Sequence, residues 1–560
     1  MKELVLSQKR RRWIFLILWT AEILFLLWKA NKGLGSNDES LYLAIPHRLY
    51  QGDGLIYHEW NLSMFSSWFM YPLFWVYMKI ANSTEGIILA FRYIYVFVQA
   101  VISLFLYHRL EEKPGALGAA LFWMLYTPFN IMALSYNSIG IMGLTIFTVL
   151  LVSEKQRRWW SPVLAGVALS GAVLGCPYLA IVYVYYAVLV FWHQYTRKGM
   201  ESYGFLFEKQ GFAYVTLTCA SMVGLLAVSV LQKASLSCVI DTIPLILSTP
   251  DHSMSFFKKA ALYITRAFAI NKPAVPVIAL MLLVCAVYFF DWKRKHRKAQ
   301  YFAVFCVLCC MYAGIILRKD PYVNYMVIPV VLLGFFCFLI TEHKEMPLML
   351  GAFIPAILYS FAIHWASNQA YYAICSAMAV AIIPSVLFIH ALTKELPSPK
   401  YRTIGMLAIC VLMGCLFWTR LHFTFWDGSP RYLNTRIEEG PNRGVYTTQM
   451  QAEKYNSLQK ATEQIRKEKG LVLYFSRNTW LPLEDEKRLA CFSPWLFNGG
   501  IEFTMNKLKS FYFMHPESIP DWIFVDNNSG VSAEELLAAL ELRGTITTGQ
   551  EHETIHVQKE

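Results

Sequence analysis

Apolar runs the length of a membrane crossing, separated by short charged linkers, fill most of the chain. They lie at 13–28, 86–107, 115–133, 138–153, 161–175, 177–195, 211–232, 273–290, 299–317, 321–340, 347–365, 370–392 and 403–418. About 20 apolar residues cross a bilayer core as a helix. The pattern therefore predicts an α-helical polytopic membrane protein with about thirteen transmembrane helices. A fourteenth apolar stretch, 64–80, stands apart.

Charge decides what that stretch does. The basic linkers Lys155 to Arg158, Arg197-Lys198 with Lys209, Lys293 to Lys298, and Lys394 with Lys400 and Arg402 should face the cytoplasm. Alternating inward from them puts Arg109 and Lys113 inside and the region before 86 outside. Lys9-Arg10-Arg11-Arg12, ahead of an uncleaved first helix, puts the residues after 30 outside as well. Both hold only if 64–80 does not cross, which leaves 31–85 as one large external loop and makes 233–272 another. Residues 1–418 then form the transmembrane domain.

Periodicity changes after 418. Thr448 to Lys469 reads as a charged helix stopped by Gly470. Two apolar runs follow, Leu471 to Phe475 and Trp522 to Val525, and Ser532-Ala533-Glu534-Glu535 opens a helix with a capping box. The expectation for 419–560 is a small extracytoplasmic α/β domain.

Composition narrows the class. Of 560 residues 56% are hydrophobic and only 16% charged, against about 25% charged in soluble domains. With a mean hydropathy of +0.39, this excludes a soluble enzyme, a disordered chain and a fibrous protein. The net charge of +12 belongs to cytoplasmic linkers, with no nucleic-acid-reading module. Most of the 12 Cys, such as Cys306, Cys309, Cys310, Cys410 and Cys415, sit in apolar runs, and none has zinc spacing. Cys238 and Cys491 fall in polar regions, where nothing beyond their position suggests a disulfide.

Candidate chemistry gathers on the external side. Ser36-Asn37-Asp38-Glu39-Ser40-Leu41-Tyr42 opens an amphipathic helix over 37–50, read as lying on the membrane surface. Ser36 and Glu39 have capping-box spacing, which accounts for Glu39 but not for Asp38. Arg318-Lys319-Asp320-Pro321 sets two cations in a short outer turn, against the positive-inside trend, where cations suit a phosphate. Arg92, about two turns into its span, reads equally as an anion contact or a snorkelling side chain. Asn137 lies in another outer turn. His47, His58 and Glu59, and later Asp251 and His252, lack metal-ligand spacing.

An uncleaved first helix followed by Asp38-Glu39-Ser40-Leu41-Tyr42, Gly52-Asp53, an aromatic segment and Arg92 resembles the GT-C superfamily of polyprenyl-phosphate-dependent glycosyltransferases. Within it the likeness is to the protein O-mannosyltransferase and lipid A aminoarabinose transferase branch. Lys319 with Tyr322, Tyr325 and Pro329 is similar to a late Lys…Tyr…Pro run of that family. Two lysines of related enzymes are replaced here by Gly175-Cys176-Pro177 and by Ser66-Ser67.

The resemblance implies an inverting membrane glycosyltransferase with a polyprenyl-phosphate sugar donor and an extracytoplasmic glycan, lipid or protein acceptor. Asp38 would be the general base, with Glu39 beside it as a second catalytic candidate. Arg92, Asn137, Arg318, Lys319, Tyr322 and Tyr325 would bind substrate. The resemblance implies no particular cofactor, and a divalent cation (Mg or Mn) on Asp38 is an option. The expected location is a bacterial plasma membrane rather than the endoplasmic reticulum. A transporter or flippase of lipid-linked saccharides would need polar or broken helices at mid-membrane, and few ionisable residues lie there. A polymerase or ligase would use a similar donor.

Overall fold

The computed structural model describes every residue except 1–7, 36, 155, 197–203, 249, 251–253, 293, 367–374, 498, 550 and 560. Ser36, Asp251 and His252 thus lie outside the described residues. Among those described, eleven helices are long and apolar enough to cross a membrane, and they coincide one for one with eleven of the expected spans. The other two form as shorter helices. The run 115–133 yields only Ala116–Leu125 (α5), because Pro128 disfavours helix at Thr127 and the chain turns through Pro128–Asn130. The run 161–175 is Trp160–Gly175 (α7), ended by Cys176-Pro177.

The first helices are Gln8–Ala30 (α1), Asn37–Tyr50 (α2), Met64–Ala81 (α3), Ile87–Leu110 (α4) and Tyr136–Ser153 (α6). α3, the stretch expected not to cross, is outside the eleven. It packs beside α2, with Phe74 against His47, and Phe69 lies against Gly171 of α7. α2 departs from the surface helix that its amphipathic pattern suggested. Residues 39–48 are all buried. Leu43 and Ala44 join the membrane core, while Leu41, Tyr42 and Ile45 share a second core with the C-terminal domain. The segment 233–272 is likewise no open loop, since it holds the helices Leu236–Leu247 and Phe256–Asn271.

The topology has a direct test. Cysteines introduced at Asn82 and Lys113, at opposite ends of α4, should differ with an impermeant reagent applied from outside. Label at 82 and none at 113 is expected; the reverse means that α3 crosses.

The C-terminal part begins with a two-stranded pair, Thr435–Arg436 (β1) and Tyr446–Thr447 (β2). A four-stranded sheet follows, made of Val472–Phe475 (β3), Trp522–Asp526 (β4), Gly544–Thr548 (β5) and His552–Val557 (β6), in the order β3-β4-β6-β5. β3 and β4 are parallel and the other pairs antiparallel. The helix Gln449–Lys467 is capped by Thr448, and Gly470 turns the chain at φ +102°. Both halves of the Ser532–Glu535 capping box are made. Cys238 and Cys491 are free thiols.

A buried ion cluster joins this domain to the loop after α2. Gly52, at φ +100°, reverses the chain so that Asp53 returns to Arg48. Arg48 donates to Asp53 and Glu59, each at 2.8 Å, and to the backbone oxygen of Cys491 at 2.9 Å. Arg488 reaches Asp53 at 3.1 Å. Burial pushes Asp53 up, but Arg48 and His58 outweigh it and hold the carboxyl below its ordinary range. Burial lifts Glu59 to about 7 against the pull of Arg48.

Candidate functional site

A cavity of about 730 Å³ opens where the start of α2, the turn between α5 and α6, and residues 423–426 meet. Asp38 enters it from the first turn of α2, a position that favours a carboxylate electrostatically. Burial nevertheless raises the Asp38 carboxyl to about 6, into the range useful to a base at neutral pH. Tyr42 follows one turn later, its ring edge-on to Tyr136 at 5.9 Å. Phe129, Tyr322, Phe423, Phe425, Trp426 and Trp495 make much of the remaining wall. Two other charged side chains complete the lining, Arg266 from the helix Phe256–Asn271 and Asp320. Burial raises Asp320 against the opposing effect of Lys319.

The turn between α5 and α6 is held from behind. The Oδ1 of the fully buried Asn324 accepts from the Tyr126 hydroxyl and from the Phe129 amide, both at 2.9 Å. The Ser135 cap then starts α6 so that Tyr136 and Asn137 reach the cavity. The Asn137 Oδ1 is buried and has no hydrogen-bond partner among the described residues.

Of the residues singled out from the sequence, Asp38, Asn137 and Tyr322 line this cavity. Glu39 and Arg92 do not. They form a bidentate pair, Nε to Oε1 and Nη2 to Oε2, both at 2.6 Å, and Arg92 also donates to the backbone oxygens of Ala30 and Gly33 at 2.8 Å. Both carboxylate oxygens of Glu39 are thus engaged by Arg92, and the pair ties the ends of α1 and α2 to α4. Arg318 and Lys319 are exposed on the last turn of the helix Arg294–Lys319, so the following turn offers the cavity Asp320, Pro321 and Tyr322 instead of the two cations. Tyr325 is buried outside the lining, with its ring 5.6 Å from Tyr322.

Arg266, Asn130 and Trp495 escaped the sequence reading. Arg266 was the findable one, as a cation within the apolar run that follows Lys258-Lys259. Asp38 and Asp320 put two carboxylates in one cavity. Among the described residues, no three His, Cys, Asp or Glu side chains gather in a set that could hold a metal ion.

No protein-family model matches the sequence, and no curated protein does. The fold resembles that of the oligosaccharyltransferase of Archaeoglobus fulgidus. Against that enzyme tethered to an acceptor peptide containing the NVT sequon, the TM-score is 0.50 at 12% identity, over 95% of this chain and 72% of that one. Against its apo form the TM-score is 0.48 at 11% identity, over 95% and 73%. With an inhibitory peptide and a dolichol-phosphate bound, the values are 0.46 and 12%, over 96% and 73%. The first of these establishes a shared GT-C type fold, a polytopic helical membrane domain with a small C-terminal sheet domain. At such identity it assigns no residue a role.

Proposed function

We propose that this protein is a membrane glycosyltransferase. It takes a sugar from a polyprenyl-phosphate-linked donor and passes it to a glycan, lipid or protein acceptor on the extracytoplasmic side, in a bacterial plasma membrane. The observation that carries the reading is a carboxylate lifted to about 6 and a guanidinium in one aromatic-walled cavity, Asp38 and Arg266. The Asp38-Glu39-Ser40-Leu41-Tyr42 run keeps the reading near the branch that moves single sugars.

In the reaction, an acceptor hydroxyl attacks the anomeric carbon and gives its proton to the Asp38 carboxylate. The bond from that carbon to the phosphate oxygen breaks, and the lipid phosphate leaves with the electron pair. Attack opposite the leaving group inverts the anomeric centre. Arg266 offsets the charge that grows on the departing phosphate, and the aromatic walls give the sugar faces to stack on. Arg318 and Lys319, exposed next to Asp320, attract the anionic headgroup to the mouth.

The test is transfer of labelled sugar from a polyprenyl phosphate by purified protein in detergent. Arg266→Gln should lower kcat/KM by about 10²-fold or more, as the loss of one charge-stabilising donor does. Lipid-linked sugar that crosses a bilayer without being transferred would replace this reading with a flippase.

A further inference from the structure

Part of the cavity wall is a turn that the backbone would rarely adopt unaided. Phe129 and Asn130 have φ of +59° and +63°, a region sparsely used by L-residues other than glycine. Such conformations persist where surrounding groups over-determine them, often at functional sites. Asn324 fixes Phe129 by its amide, as described above. Asn130 is fixed through its side chain: its Oδ1 accepts from Nη1 of Arg420 at 2.6 Å.

Arg420 lies near the end of the helix Pro399–His422 and is completely buried. Its Nε and Nη2 have no hydrogen-bond partner among the described residues. A guanidinium only donates, so the Asn130 atom facing it must be the carbonyl oxygen, and the NH2 group points elsewhere. Behind Asn130 is a small pocket of about 20 Å³ whose lining includes Lys29, Arg92 and Glu39. Two of these are cations, and both oxygens of Glu39 are engaged by Arg92. Among the described residues no acceptor meets the Asn130 NH2, which leaves it for whatever occupies the main cavity that Asn130 lines.

We propose that Asn130 touches substrate, donating its amide N–H to a phosphate oxygen of the lipid-linked donor, and that Arg420 is the positioning residue that orients this amide. The proposal rests on the donor reading above. An anionic partner follows from the order of the chain, guanidinium to carbonyl oxygen and then amide N–H to ligand. A cation hydrogen-bonded to the carbonyl polarises the amide and strengthens its N–H as a donor, which suits a phosphate oxygen better than a neutral hydroxyl.

The experiment uses the full-length protein in detergent, with farnesyl phosphate and farnesol as probes. Asn130→Asp keeps the size, tolerates the left-handed backbone and retains a partner for Arg420, but it replaces the donor by an oxygen. Asn130→Gly, unstrained at this φ, is the second variant. Each should bind farnesyl phosphate at least about tenfold more weakly than wild type, the scale of a hydrogen bond to a charged group. Farnesol binding should stay near wild type in both, as should the thermal midpoint of Asn130→Asp, whereas Asn130→Gly strips the buried Arg420 of its acceptor and should lower the midpoint. Arg420→Lys, which keeps the charge and loses the fork, should lose part of the phosphate preference and raise the donor KM more than it lowers kcat. Wild-type farnesyl phosphate binding in both Asn130 variants, or an equal loss for both probes, overturns the proposal and leaves the donor reading standing. A wild-type protein that does not prefer farnesyl phosphate over farnesol overturns the donor reading itself, and this proposal with it.

Discussion

Asp38→Asn is expected to transfer sugar about 10²–10⁴-fold more slowly at saturating donor, the usual loss when a general base is removed, with donor binding near that of the native protein. The substitution should also raise the thermal midpoint at pH 7.5, or leave it unchanged. Burial lifts the folded carboxyl from 3.8 to about 6, so the fold favours the protonated form. Stability from this group is complete below about pH 4 and is lost as pH rises through about 6. Asparagine resembles the protonated acid and avoids that loss. In the native enzyme the same ionisation turns the base on, so log kcat/KM should fall with unit slope below about pH 6. Labelled-donor turnover, a pH–rate profile and thermal unfolding of both proteins make the check. Near-normal turnover of Asp38→Asn would remove this carboxylate from the chemistry.

Breaking the Glu39–Arg92 pair should have the largest effect on stability. Both side chains are buried, with 4% exposure each, so removing either leaves an uncompensated charge and costs about 3–5 kcal/mol. Capping-box spacing alone would make Glu39→Gln mild, since Gln caps as well. The ion pair makes it severe. Glu39→Gln and Arg92→Met should each lower the yield of folded protein sharply. The double variant should recover much of the loss, because a neutral pair carries no stranded charge. A double-mutant cycle on thermal midpoints measures the coupling. If singles and double fall additively, the two residues do not act as a pair. A catalytic Glu39 would show instead as lost turnover per folded molecule.

Asp38 could be read from the chain because its signal is local: one carboxylate more than a helix start needs. The spans were legible for a similar reason, since a crossing needs length and apolarity, both properties of a single segment. The truncation of α5 was also written locally, in Thr127-Pro128, but average apolarity over 115–133 hid it. What could not be read is convergence. Glu39 and Arg92 each look like an isolated charge until α2 and α4 meet. Arg318 and Lys319 drew attention by their number, yet the turn that follows presents Asp320 to the cavity. Asn130 owes its side-chain orientation to Arg420, 290 positions away, and no spacing rule reaches that far. The burial of α2 followed the same logic, because its polar face is covered by a domain that the amphipathic pattern does not mention.

The ion cluster around Arg48 bears on the order in which the molecule can be made. Asp53 and Glu59 are synthesised with Arg48, but its acceptor at Cys491 and the neighbouring Arg488 emerge only after every membrane helix has left the ribosome. Trp60 waits for Phe492 in the same way, and Ser40 for Thr479. Contacts of such long sequence separation form late and slowly. The start of α2 can be held early by the Glu39–Arg92 pair, but the stretch from Arg48 to Trp60 is completed only when the final hundred or so residues dock on it. A nascent chain released early would carry the membrane helices and the Asp38 carboxylate without a finished cavity around it.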